Sequence, residues 1–269
     1  MPPRGRDRLD QCWKEDRPAF GLWGSIPSTL TAELAAAVGF DYVCVDLQHG
    51  GADEERMVAM FAAIEARSAV PLARVLYNEP WMVNRVLDLG AAGVIVPLVG
   101  NAADAKRAVS GCRYPPHGVR SYGPLRAALT VGSADPERLS AGALCFVMVE
   151  TREGLEHVEE IAATAGLDGI YIGPSDLSLG LEREPGHGGD VLEHAITRVR
   201  DACAASGIVA GMHCNGGGAE ARERAAAGFR LITVGVDSSL FAARIGEELV
   251  AARSSPVRSS PARSSPARS

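Results

Sequence analysis

The chain has 269 residues, of which 46% are apolar and 22% are charged, a composition typical of one large globular domain. Its formal net charge of −6 argues against nucleic acid or an anionic membrane surface as the main partner. No apolar run is long enough to span a membrane, and the charged N-terminus lacks a signal-peptide core, so we expect a cytoplasmic protein.

Short apolar runs rich in valine and isoleucine alternate with Ala-rich helical patterns along the chain, as is typical of buried parallel strands. In the first helical pattern, Ser28 is a candidate N-cap and Gly39 a candidate C-cap. The runs predict strands at 19–23, 42–46, 71–75, 93–97, 144–150, 169–173, 207–212 and 230–235. This repeat predicts a single-domain (β/α)8 TIM barrel. The main alternative, a doubly wound sheet, lacks a G-x-G-x-x-G motif after the first strand.

The same pattern sets the predicted domain limits. Residues 1–18 are predicted to form an N-terminal helical extension, and residues 19–252 the barrel. The tail 253–269 repeats Arg, Ser and Pro and has too little apolar surface to fold, so we expect it to be disordered. Residues 111–143 are predicted to form a long βα connection, a kind of loop that often serves function or an interface.

Polar residues occur at the carboxyl ends of several predicted strands. Asp46 ends the second strand and His49 follows it, whereas Arg74 lies near the end of the third. Glu150 ends the fifth strand and Asp176 follows the sixth. Each residue alone could cap a turn or a helix, or serve packing. Because strand ends of a barrel meet at one mouth, the set together predicts a functional site.

The two later carboxylates predict a metal site. Glu150 and Asp176 offer hard oxygen ligands without a neighbouring Cys or His, which suits Mg²⁺, Mn²⁺ or Co²⁺. Gly173, Pro174 and Ser175 precede Asp176, so backbone N–H groups can approach a bound anion there.

The other residues predict proton transfer. Arg74 can pair with a carboxylate or an enolate oxygen, and the ordinary pKa of a histidine such as His49 suits a base near neutrality. A carboxylate such as Asp46 or Asp88 can hold the histidine tautomer and raise its basicity. A metal, a cation and a histidine base together indicate enolisation of a 2-oxo acid, the central step of a metal-dependent aldolase.

An imine mechanism is disfavoured by the scarcity of lysines. The chain has only Lys14, before the first strand, and Lys106, in the helix after the fourth. A Schiff-base aldolase needs a lysine amine at the mouth.

The six cysteines of the chain are scattered without a C-x-x-C pair, so we expect small buried side chains rather than disulfides or metal ligands.

At this point five stretches resemble the HpcH/HpaI family of class II pyruvate aldolases, from about Phe20 to Ala251. They are "FGLWGSIPSTLTAELAAAVGFDYVCVDLQHG", "PLARVLYNEP", "VETREGLEHV", "DGIYIGPSDLSLG" and "LITVGVDSSL". The resemblance implies cleavage of a 4-hydroxy-2-oxo acid to pyruvate and an aldehyde. It also implies a homohexamer with helix exchange between neighbours.

The resemblance also implies roles for single residues. His49 matches the proton acceptor, Arg74 the residue that stabilises the enolate, and Asp88 the acid that raises the basicity of the histidine. Asp46 matches the acid that the family has three positions before this histidine. Glu150 and Asp176 match the metal ligands, and Ser175 and Asp176 match positions that contact the substrate.

One departure affects the substrate pocket. Met148 stands where the family commonly has a glutamine that contacts the oxo acid, and a thioether cannot replace the hydrogen bonds of an amide. Gln48 and Gly100 also replace residues found in some relatives. Two alternatives therefore remain open: enolate chemistry with another outcome, as in an oxaloacetate decarboxylase or a citrate-lyase-like enzyme, and a non-catalytic oxo-acid or metal-binding barrel.

Overall fold

The computed structural model describes residues 5–184 and 189–254. Parallel strands pair in chain order from β1 to β8, and β1 pairs with β8 to close the barrel. The predicted (β/α)8 fold is therefore confirmed. The strands are β1 (Ala19–Gly24), β2 (Tyr42–Asp46), β3 (Val70–Arg74), β4 (Gly93–Val96), β5 (Leu144–Val149), β6 (Gly169–Ile172), β7 (Val209–His213) and β8 (Leu231–Val236).

Helices surround the barrel and follow its strands. They are α1 (Arg6–Lys14), α2 (Thr29–Val38), α3 (Glu54–Ala66), α4 (Pro80–Asp88), α5 (Ala102–Cys112), α6 (Ala127–Val131), α7 (Pro136–Gly142), α8 (Arg152–Glu156), α9 (Val158–Ala162), α10 (Pro174–Gly180), α11 (Gly189–Ser206), α12 (Gly217–Ala226) and α13 (Asp237–Ser254). No helix of the described ranges is long and apolar enough to cross a membrane.

Helix ends follow the capping chemistry of the sequence. The Ser28 hydroxyl accepts a hydrogen bond from the Thr31 backbone N–H at 3.2 Å, and Gly39 ends α2 with a left-handed φ of 110°. Both predicted caps of α2 are confirmed. At the other end of the chain, α13 includes the first two residues of the predicted tail, and residues 255–269 lie outside the described ranges.

The long connection differs from its prediction. Helix α5 follows β4 directly and continues to Cys112, so the segment from Arg113 to Ala143 leads from a helix to β5. It is an αβ connection at the amino end of the barrel, and the prediction of a βα connection was wrong. A helix that starts near the mouth has to end at the opposite face, and the extra chain lies there with α6 and α7.

Alternate strand residues fill the barrel interior. The hydroxyls of Tyr42 and Tyr171 both contact the Thr233 hydroxyl, at 2.8 and 2.6 Å, and all three side chains are fully buried. This network satisfies polar atoms that burial would otherwise leave unpaired. The six cysteines are buried as free thiols.

The close packing of β6 against its neighbours leads to a stability prediction. A methyl group on Gly169 would lie 2.3 Å from the Val209 carbonyl oxygen and 2.5 Å from the Phe146 ring. Since a backbone carbonyl in a sheet cannot move away, Gly169→Ala should lower the free energy of unfolding by about 1–3 kcal/mol. Urea denaturation measures this. Gly218→Ala, in α12 with nothing within 4 Å, is the matched control and should not destabilise.

Candidate active site

The carboxyl ends of the strands surround an open cavity of about 400 Å³. Trp23, Asp46, Arg74, Met148 and His213 project into it from five different strands. The loops that follow the strands add further lining residues that were predicted as site residues. These are His49, Gly173, Pro174, Ser175 and Asp176.

Asp46 and Arg74 form the buried charged pair of the site. They are register partners on β2 and β3, and only 3% and 8% of their surfaces are exposed. Arg74 Nε and Nη2 donate to the two carboxylate oxygens at 2.9 and 2.6 Å, a bidentate geometry. Burial would raise the pKa of Asp46, but the hydrogen bonds and charge of Arg74 outweigh it and hold this pKa below its ordinary value. The pair is therefore ionised.

Aromatic packing fixes the arginine from its other side. The Arg74 guanidinium lies 5.0 Å from the centroid of the Trp23 ring, within cation–π distance. Trp23 in turn stacks on Tyr171, whose hydroxyl is held by Thr233. The guanidinium therefore has a defined orientation at the mouth before any substrate binds.

His49 lies in the loop after β2, where its exposed side chain lines the cavity. Its backbone N–H donates to Asp46 Oδ1 at 3.3 Å, as does the N–H of Gln48 at 3.0 Å. Asp46 thus orders the loop that carries the imidazole. The Asp46 carboxylate pairs with Arg74, and its hydrogen bond with His49 is to the backbone N–H and not to the imidazole.

Asp88 lies away from this mouth. It ends α4, a helix that starts after β3 and runs back to the amino end of the barrel. Its carboxylate accepts hydrogen bonds from Arg120 at 2.8 Å and from Asn84 at 2.6 Å. A single chain therefore does not bring Asp88 to His49, because strand and helix in each repeat run in opposite directions.

Glu150 and Asp176 are close enough to interact electrostatically. Glu150 is 2% exposed, and its Oε1 accepts a hydrogen bond from the Leu98 N–H at 2.7 Å. Its Oε2 is buried without a hydrogen-bond partner. Burial raises the pKa of Glu150 to about 7. The hydrogen bond from Leu98 opposes this shift, and the negative charge of Asp176 adds to it.

These two carboxylates fit a divalent cation. An unpartnered buried carboxylate oxygen next to a second acid is destabilised in the absence of a positive charge, and a cation would satisfy both. Within the described ranges no cluster of three or more His, Cys, Asp and Glu side chains has metal-binding geometry. Glu150 and Asp176 are two hard ligands, and a pair of this kind suits a cation that keeps water or substrate oxygens.

Because Gly173 has no side chain, the side chains of Glu150 and Met148 can both lie close to its backbone. A methyl group at this position would lie 2.8 Å from both Glu150 Oε2 and Met148 Cε. Any larger residue would displace the carboxylate or the thioether. Met148 is 2% exposed and packs in the same cluster of interior side chains as Trp23 and Tyr171.

Trp23 and His213 are among the lining residues that escaped the sequence analysis. Trp23 is the last residue but one of β1, and it is apolar, so it gave no chemical signal. His213 ends β7, whereas the predicted strand stopped one residue earlier at Met212. The rule that selected Asp46 and Arg74, a polar side chain at a strand end, would have found His213 with the correct boundary. The two rings meet edge to face, with centroids 5.3 Å apart.

Comparison with known proteins agrees with this architecture. Residues 19–243 match the model of the family described as HpcH/HpaI aldolase/citrate lyase. A hydroxypyruvate/pyruvate aldolase from Rhizorhabdus wittichii is 36% identical over 250 residues, covering 92% of this chain and 99% of that protein. A 4-hydroxy-2-oxo-heptane-1,7-dioate aldolase from Salmonella typhimurium is 34% identical, covering 89% of this chain and 91% of that protein.

A solved structure shows the same similarity. The crystal structure of an HpcH/HpaI aldolase/citrate lyase family protein from Burkholderia cenocepacia superimposes with a TM-score of 0.85 at 34% identity. The match covers 91% of this chain and 99% of that one. The chain belongs to the HpcH/HpaI aldolase/citrate lyase family.

Proposed function

We propose that this protein is a class II aldolase, a carbon–carbon lyase that reversibly cleaves a 4-hydroxy-2-oxo acid to pyruvate and an aldehyde. The observation that carries the proposal is the buried, preoriented Arg74 at the mouth, flanked by His49 on one loop and by Glu150 and Asp176 on others. The two similar proteins from Rhizorhabdus wittichii and Salmonella typhimurium are both named as aldolases, which supports the same class.

Glu150 and Asp176 would hold a divalent cation of the Mg²⁺, Mn²⁺ or Co²⁺ class. When bound, such a cation supplies Lewis acidity to the 2-oxo group of the substrate. Gly173, Pro174 and Ser175 line the cavity beside Asp176, and we assign their backbone to contact with the 2-oxo acid. Met148 would give that end of the pocket an apolar wall.

The remaining residues provide the proton transfer and the charge stabilisation. His49 accepts the proton that leaves the methyl carbon of pyruvate in the addition direction. The negative charge then develops on the oxygen at C2, where Arg74 stabilises it. Asp46 keeps Arg74 in place through its two hydrogen bonds. Lys14 and Lys106 are exposed outside the cavity, which disfavours an imine route.

We also propose a homo-oligomer. Helix α13 buries only Asp237, and its apolar side chains are 48–64% exposed in the single chain, including Phe241, Ile245 and Leu249. Burial of this surface against a second copy would remove apolar area from water. A second copy is also the means by which Asp88 could reach a His49 side chain.

The function is tested by pyruvate release from a panel of 4-hydroxy-2-oxo acids, assayed with and without Mg²⁺, Mn²⁺ and Co²⁺. Oxaloacetate is included to detect a decarboxylase. We expect chelation by EDTA to abolish release and the divalent ion to restore it, since Glu150 and Asp176 leave an incomplete ligand set. Glu150→Gln should weaken metal binding in titration calorimetry, with Glu153→Gln, an exposed neighbour, as the matched control. Full activity after exhaustive chelation would contradict the metal assignment.

A further inference from the structure

His213 presents an unpaired imidazole to the cavity. It belongs to the inward-facing set of β7, because a methyl group on Gly211, two residues earlier, would touch the Tyr171 ring inside the barrel. Its ring packs edge-on against Trp23 and is half-buried. Neither ring nitrogen of His213 forms a hydrogen bond with any described residue. The side chain is therefore positioned by packing and free to bind a ligand.

The imidazole is neutral under ordinary conditions. Burial, assisted by the positive charge of Arg74 and only partly opposed by Asp46, lowers the pKa of His213 to about 4. A neutral imidazole has one N–H donor and one lone-pair acceptor. An alcohol likewise donates one hydrogen bond and accepts others, so it matches both ring nitrogens in a way that an apolar group does not.

This side of the cavity is lined by polar side chains. The hydroxyls of Ser25 and Ser238 contact each other at 2.7 Å, and Ser25 donates to Asp237. Asn215 adds an exposed amide. Among the described residues that line the cavity, Arg74 is the single arginine or lysine, and Asp46 already occupies it. A carboxylate at the far end of an aldehyde would find no cation here.

We propose that His213 determines acceptor specificity by hydrogen-bonding the hydroxyl group of a short hydroxylated aldehyde. The pocket then discriminates against aldehydes that themselves carry a carboxylate. This inference rests on the proposed aldolase function. It assigns the acceptor end of the substrate to the β7 and β8 side of the mouth, whereas the residues proposed for the oxo acid lie on β3, on β5 and directly after β6.

The test compares glycolaldehyde with propanal, which has a methyl group in place of the hydroxyl, in addition to pyruvate by the metal-loaded full-length enzyme. We expect kcat/KM to favour glycolaldehyde by about tenfold, the value of one good hydrogen bond. His213→Phe and His213→Leu should bring the ratio to about one. His213→Gln, which keeps a donor and an acceptor, should retain most of it. His194→Phe, on the exposed face of α11, is the matched control.

Two further comparisons test the effect of a carboxylate on the acceptor and of a hydroxyl group on the donor. Succinic semialdehyde should be a poorer acceptor than glycolaldehyde for the wild-type enzyme, and equal or better use would overturn the inference. Hydroxypyruvate is also compared with pyruvate as the donor, with glycolaldehyde as the acceptor in both cases, to ask whether His213 instead binds a hydroxyl group of the donor. If His213→Phe changed the ratio of kcat/KM for these two donors and left the ratio for the two aldehydes unchanged, the acceptor assignment would be overturned.

The proposed function and the inference fail in different ways. Wild-type enzyme that does not exchange pyruvate protons with deuterated water would contradict the aldolase function itself, because exchange needs no aldehyde. Wild-type enzyme that exchanges protons and adds aldehydes, with the glycolaldehyde ratio unaltered in both His213→Phe and His213→Leu, would contradict the role of His213 alone.

Discussion

His49→Ala is expected to lower the rate of pyruvate proton exchange by about two to four orders of magnitude, the usual contribution of a general base. The His49 imidazole is exposed and lines the cavity, and the neighbouring carboxylate of Asp46 is already engaged by Arg74. Nuclear magnetic resonance of pyruvate in deuterated water measures the methyl exchange without any aldehyde. Metal affinity should be unchanged, because His49 is not assigned as a ligand.

The control for this variant is His194→Ala, which removes an exposed imidazole from α11. It should exchange pyruvate protons at the wild-type rate. Exchange at that rate by His49→Ala as well would show that the loop after β2 has a structural role only. The base would then have to be another group at the mouth.

Arg74→Lys is expected to lower kcat by about a hundred- to a thousandfold, in the range found when one preoriented donor to a developing oxyanion is removed. Lysine keeps the positive charge but cannot make the two parallel hydrogen bonds to Asp46 or stack on Trp23 in the same way. The ammonium would therefore lose its orientation toward the substrate oxygen. The KM for pyruvate should change less than kcat, because the charge on that oxygen is larger in the transition state.

The choice of lysine keeps this experiment interpretable. Arg74→Ala would leave the buried Asp46 carboxylate unpaired, which typically costs about 3–5 kcal/mol and risks unfolding. Arg113→Lys makes the same change at the amino end of the barrel, where the guanidinium bonds the carbonyls of Ala143 and Gly166. It should leave kcat unaltered. Wild-type exchange by Arg74→Lys would rule out the guanidinium as the enolate-stabilising group.

The sequence by itself determined the barrel, the approximate strand limits and the family. Buried parallel strands need continuous apolar runs, and the caps of α2 need a hydroxyl and a left-handed glycine, so both are visible in local patterns. It also identified Asp46, His49, Arg74 and Asp176, which line one mouth because parallel strand ends converge there. Their catalytic and metal-binding roles remain predictions.

Only the tertiary structure decided which of these groups interact. Asp46 pairs with Arg74 across the β2–β3 register and contacts His49 only through the backbone N–H, and Asp88 lies at the other end of the barrel with Arg120. The raised pKa of Glu150 follows from burial and from Asp176, and the position of His213 at the cavity follows from the true end of β7. Hydrogen bonds and desolvation depend on distances between residues far apart in the chain, and local sequence patterns contain no information about those distances.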